Sequence, residues 1–249
     1  MCRLAFITKR FKGFHEWLAM LEASQGGHGN GVAVGRESLK GVDVTVDATV
    51  DFIRSCNRNV LWHTRRISSG HKCDELCHPF PCDGGWLVHN GHWSEGDDIA
   101  DTIRILKPDD GAMSDTKLFA LLVDKLGFER AVKRYEPSGV WLHMTHKGKL
   151  RVWKNWGSLH YSPDLNAYGS EPAEHGYWFE VADGFYRPGE VPKCKNTSPV
   201  TYGADLFKDD ELGPSKRLPM ESKLPEHYRA GTSNDRLAGL FNPYVVRRG

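Results

Sequence analysis

The chain has 249 residues, of which 39% are hydrophobic and 26% charged. That is enough for one large globular domain or two small ones, and it excludes a disordered or fibrous chain. Its 33 basic and 32 acidic residues leave a net charge of +1, so no global charge surplus calls for nucleic acid or a membrane surface.

In chain order, residues 3–8 (RLAFIT) are a short β-prone run. Residues 14–24 place Phe14, Trp17, Leu18 and Leu21 on one helix face. QGGHGNG (25–31) breaks that helix with four glycines, and VAV (32–34) resumes as strand. In 42–56, β-branched residues compete with the helical spacing of Val46, Val50 and Ile53, which favours helix in the second half. Strands are predicted over 59–68 and 84–90. A helix is predicted over 114–127, capped by Ser114, ended by Gly127, with Leu118, Leu121, Leu122 and Leu126 as its apolar face. Residues 138–154 read as a hairpin turning at Lys147-Gly148, and further strands are expected at 157–162 and 176–182. Beyond about residue 185 periodicity is lost, and seven of the 13 prolines lie at or after Pro188. This part reads as an extension that wraps the domain or touches a partner, or as a partly ordered tail. Strands early and late with helices between them permit two stacked sheets sandwiched by helices, without selecting that arrangement.

Lys9, Arg10, Lys12 and Glu16 interrupt the apolar positions near the start, so no secretory signal is expected. No apolar run approaches the roughly 18 residues of a membrane span. The cytoplasm is the expected compartment, with Cys2, Cys56, Cys73, Cys77, Cys82 and Cys194 reduced.

Four segments carry polar residues where strands end or loops begin: Cys2, HTRRISSG (63–70), HNG (89–91) and SDT (114–116). An amide and a backbone N–H at Asn90-Gly91 suit a developing oxyanion, although Asn-Gly is also a common tight turn. An inward Arg65 would need an anion and grips a carboxylate through two hydrogen bonds; Arg66 must then face the other way. Asp115 either complements the helix dipole or receives an ammonium group. Taken together they describe a pocket for a free α-amino acid: Arg65 on its carboxylate, Asp115 on its ammonium, Asn90 and Gly91 on a side-chain carbonyl oxygen, and Cys2 attacking that carbonyl.

In this order and spacing the segments resemble the class II glutamine amidotransferase domain of the N-terminal-nucleophile hydrolase superfamily. The resemblance rests on MC at the start, GGHGNGVAV (26–34), HTRRISSG, HPF (78–80), HNG and SDT, with Arg65 and Asn90, and Asn90 and Asp115, each 25 residues apart. It covers about residues 2–185, leaving 186–249 as a Pro-rich C-terminal extension that wraps the domain or docks a partner. It implies an α+β fold, a four-layer αββα sandwich of two stacked, mainly antiparallel sheets flanked by helices. It implies Cys2 as nucleophile after loss of Met1, its own α-amine as base, Asn90 and Gly91 as oxyanion hole, and Arg65, Ser68 and Asp115 as glutamine contacts. The chain departs from the family at Arg66, Ile67, Arg3 and Lys117, where an aromatic, a small residue, often a glycine, and an acid are usual.

The implied reaction is glutamine hydrolysis to glutamate and ammonia without a cofactor, the ammonia passing to a separate synthase or amidoligase subunit. About 65 residues of extension are too few for an ordinary synthase domain. An acylase or γ-glutamyl amide hydrolase without an ammonia acceptor is the alternative, and a non-catalytic protein keeping the fold is a third. Cys73, Cys77, His78 and Cys82 are zinc-ligand types, but their spacing is not a standard pair of CxxC motifs, and reduced, partly buried cysteines are expected instead.

Overall fold

The first strand, β1 (Arg3–Ile7), is buried along its whole length. Its side chains alternate between two cores: Ala5 and Ile7 face one, Leu4 and Phe6 the other. That doubly covered strand defines the layering. The computed structural model describes residues 2–68, 70–106, 112–200 and 246–247, the backbone alone for 101–106 and 246–247. Most of the 186–249 extension therefore lies outside the described residues.

Helix α1 (Phe14–Gln25) follows, then the hairpin β2 (Asn30–Val34) and β3 (Glu37–Gly41), then α2 (Val46–Ser55). Thr45 caps α2 by accepting the Ala48 N–H over 3.1 Å. The cap and the burial of Val46, Val50 and Ile53 on one face override the strand preference of the β-branched residues. Strand β4 (Val60–Thr64) is shorter than the predicted 59–68. Arg65 still bonds across to Gly29 and His28, but at Arg66 the backbone meets the Cys2 sulfur instead of a neighbouring strand.

A second sheet begins with β5 (Phe80–Cys82) and β6 (Gly85–Asn90). Three helices come next: α3 (Ser94–Leu106), α4 (Asp115–Leu126) and α5 (Phe128–Tyr135). Ser114 caps α4 through the Lys117 N–H, and Gly127, at φ 78°, ends it. The buried face of α4 is Leu118, Phe119, Ala120 and Val123, whereas Leu121, predicted to be buried, is 48% exposed. The hairpin β7 (Val140–Thr145) and β8 (Leu150–Lys154) turns at Gly148, where the expected positive φ is 77°. Short strands β9 (His160–Ser162), β10 (Ala167–Gly169), β11 (Phe179–Glu180), β12 (Gly184–Tyr186) and β13 (Val246–Arg247) complete the described chain.

The described strands form an antiparallel sheet of eight, ordered β11-β9-β10-β1-β4-β2-β3-β13, and one of five, ordered β12-β8-β7-β6-β5. Trp17, Leu18, Val50 and Ile53 pack on the outer face of the first sheet, against Val32 and Trp62. Leu4, Phe6 and Leu61 meet Trp86, Val88, Leu142 and Met144 between the sheets. Phe119, Val123, Phe128 and Val132 cover Leu87 and Trp141 on the far side. This is the four-layer αββα sandwich the sequence led us to expect.

Candidate active site

β1 and β4 are antiparallel with Arg3 opposite Thr64, so the start of one strand and the end of the other share an edge. β6 ends at Asn90 in the facing sheet, and α4 starts at Asp115. A single cavity at this junction is lined by Cys2, Arg65, Arg66, Ser68, His78, His89, Gly91, Ser114, Asp115 and Thr116. Five of the six residues predicted from the sequence thus border one cavity. The sixth, Asn90, is buried beside it and is not among the lining residues. The free volume is about 20 Å³, room for roughly one water. Arg66 and Ser68 are exposed at its rim.

The Cys2 thiol donates to Arg66 O at 3.4 Å, and Arg66 N–H donates to the sulfur at 3.3 Å. Burial pushes the Cys2 thiol up, while the Arg66 backbone contact pulls it down. Arg65 is buried, with Nη1 donating to His71 O at 2.9 Å, whereas its neighbour Arg66 is exposed. Asp115 is held rigidly: Oδ2 accepts the Trp93 N–H at 3.1 Å, and Oδ1 accepts the Thr116 N–H at 2.6 Å and the Thr116 hydroxyl at 3.1 Å. These bonds orient the carboxylate within the wall of the cavity.

Of the histidines only His78 was weighed from the sequence, as a zinc-ligand type, yet three underlie the site, one in each of the HTR, HPF and HNG segments. His89 stacks on Trp141 with ring centroids 3.7 Å apart. Its Nε2 faces Ser138 O at 3.2 Å, which as a carbonyl only accepts and so assigns the ring proton to Nε2. Nδ1 is then an acceptor 3.1 Å from Thr116 Oγ1, competing with Asp115 Oδ1 for the single hydroxyl proton, and Asp115 Oδ2 lies 3.7 Å away. Burial lowers His89 to about 4, against the raising influence of Asp115. His63 donates through Nε2 to His89 O at 3.0 Å and is lowered by burial to about 3. His78 lies against His63 with centroids 3.8 Å apart and the rings tilted by 47°, and burial holds it well below the ordinary imidazole range. All three rings are therefore neutral at pH 7, which suits a site whose cation is Arg65.

His78 turns towards His63 and Phe80, while Cys77 and Cys82 are buried thiols. No group of three or more His, Cys, Asp or Glu side chains is placed to hold a metal among the described residues. Nor is any described helix long and apolar enough to cross a membrane.

No family model matches the chain, and no curated protein matches it. Solved structures do share its fold. Glutamine phosphoribosylpyrophosphate amidotransferase from B. subtilis, complexed with ADP and GMP, superposes with a TM-score of 0.57 at 16% identity, over 80% of this chain and 50% of that one. A structure described as the allosteric regulatory enzyme of purine biosynthesis gives 0.50 at 18% identity, over 68% of this chain and 41% of that one. The chain spans about half the length, or less, of these two structures. At such identities the likeness is one of fold, the four-layer αββα arrangement described above.

Proposed function

We propose that this chain is a glutaminase of the class II glutamine amidotransferase type. It hydrolyses glutamine through Cys2 and supplies ammonia to an acceptor on a separate synthase or amidoligase. The observation that carries this reading is the meeting of Cys2, Arg65, Gly91 and Asp115 at one cavity, although they arise from both sheets and a helix start. The fold shared with a glutamine phosphoribosylpyrophosphate amidotransferase supports it.

Removal of Met1 frees the α-amine of Cys2. The free amine, with an ordinary pKa about 8, takes the proton of the thiol, which burial pushes up and the Arg66 backbone contact pulls down. The thiolate attacks the side-chain amide carbon, and Asn90 and the Gly91 N–H stabilise the oxyanion. Ammonia leaves, a glutamyl thioester remains, and water hydrolyses it. Arg65 holds the α-carboxylate, Asp115 the α-ammonium, and Ser68 contacts the substrate at the rim. The free volume of about 20 Å³ is smaller than glutamine, so side chains lining the cavity must rearrange to admit it.

The six cysteines are all free thiols, which suits a reducing cytoplasm. Residues 186–249 are proposed as an extension that wraps the domain or docks the partner. Bridges from Val181 to Cys194 and from Trp178 to Val200, and the pairing of β13 with β3, support wrapping for the described part. Ammonia release from glutamine, compared with cleavage of γ-glutamyl amides and with Cys2→Ala, tests the reaction. Preference for γ-glutamyl amides would replace this reading with an acceptor-free hydrolase.

A further inference from the structure

Ser170 lies just past β10 and is fully buried. Its N–H donates to Leu4 O at 3.0 Å. The return bond does not come to a backbone carbonyl: the Leu4 N–H donates at 3.0 Å to the Ser170 hydroxyl oxygen. The Ser170 carbonyl accepts instead from His160 Nδ1 at 3.2 Å. The hydroxyl has thus taken a ladder position, two residues along the strand from Cys2. The same oxygen accepts from Asn90 Nδ2 at 3.3 Å, reaching from the first sheet into the second. Next door, Glu171 pairs with Arg3 at 3.1 Å, and Arg3 Nη1 donates to Cys2 O at 3.4 Å. One corner of the chain therefore holds both the strand that begins at the nucleophile and the amide of Asn90.

We propose that Ser170 is a positioning residue that aligns the Asn90 amide with the Cys2 strand, so that the oxyanion donor and the nucleophile are set from one atom. The inference rests on the glutaminase reading. An amide carries two N–H donors; Ser170 takes one and leaves the other for the oxyanion. Asn90 Oδ1 is buried without a hydrogen-bond partner in the described structure, so the Ser170 bond is what fixes the amide. Without it the amide samples its flipped orientation and presents an acceptor where negative charge develops.

The test is a double-mutant cycle on the purified full chain with Met1 removed, reading ammonia release from glutamine together with thermal unfolding. Ser170→Ala lowers kcat by about tenfold or more and changes KM by less than about twofold. In an Asn90→Ala background the same substitution costs less than about twofold, because the group it positions is gone. If Ser170→Ala does not fold, Ser170→Cys takes its place, keeping the side-chain volume with a weaker acceptor, and the same non-additivity is expected. Equal losses in both backgrounds, or a loss confined to KM, overturn the proposal while the wild type remains active. A wild type that releases no ammonia from glutamine removes the reading beneath it, and is recognised before any substitution is made.

Discussion

The Arg66 backbone N–H donates to Cys2 Sγ over 3.3 Å, and Arg66 O accepts from the same thiol at 3.4 Å. The sulfur sits where a strand partner would otherwise be, so its reactivity is tied to the end of β4. Burial, the larger influence, raises the thiol above its ordinary value of 9.0. In a chain that retains Met1, and so lacks the adjacent free amine, iodoacetamide should modify Cys2 slowly at pH 7, with a rate still climbing above pH 9. Removal of Met1 should restore reaction at neutral pH. Peptide mapping of the adducts across pH measures both; rapid neutral modification of the Met1-retaining chain would contradict the assignment of the amine as base.

Asp115 is preoriented by Trp93 and Thr116, which makes its charge separable from its shape. Asp115→Asn should raise KM for glutamine by roughly tenfold or more through loss of a charge-assisted contact, with a smaller effect on kcat. Glutaramic acid, which lacks the α-amine, should be a much poorer ligand than glutamine for the wild type and nearly equal for the variant. Competition assays distinguish this from general damage; an unchanged preference would remove Asp115 from the ammonium site.

Gly91 has φ 156°, and a Cβ there would come within 2.7 Å of His89 Nε2 and 2.8 Å of Gly139 Cα. Both neighbours are packed, so Gly91→Ala must move either the His89 ring or the β7 entry. Turnover should fall by about two orders of magnitude, the scale of losing an oxyanion donor, with thermal stability also reduced. A variant with near wild-type kcat would show that the Gly91 N–H takes no part.

Which parts of this were legible beforehand depended on range. Cys2, Arg65, Gly91 and Asp115 each sit in a short polar segment at an element boundary, and such signals are local. The helix at 46–55 and the hairpin at Gly148 were likewise carried by spacing and turn chemistry. The helix α3 was missed although Ile99, Ile103 and Leu106 recur at helical spacing, because it opens on a polar turn through Glu95, Asp97 and Asp98. Leu121 was misplaced because spacing of leucines alone does not reveal that Phe119 and Val123 set the face that meets Trp141. Ser170 carries no local signal: its meaning comes from Asn90, 80 residues away. The histidines of HTR, HPF and HNG were visible in the motifs, but only their burial in the fold shows that they are neutral parts of the site.

That neutrality has a consequence for acid stability. His63 and His89 are lowered from 6.5 to about 3 and about 4, chiefly by burial. Between those values and 6.5 the unfolded chain binds protons that the folded chain does not, so their contribution is complete above pH 6.5 and is lost as the pH falls towards 4 and then 3. Each ring withdraws up to about 1.4 kcal/mol per pH unit in that window. Denaturant unfolding at successive pH values should show stability falling from pH 6.5 downwards, and His89→Gln should flatten part of the slope. A flat profile between pH 6.5 and 4 would mean that these rings titrate normally in the fold.

The most direct test of the central claim is intact-mass analysis of the same purified sample that is assayed for ammonia release from glutamine. The account predicts a chain without Met1 that releases ammonia and forms a single covalent adduct at Cys2 with a glutamine-shaped diazoketone, both lost in Cys2→Ala. Activity in a sample that retains Met1, or an inert sample from which Met1 has been removed, would contradict it.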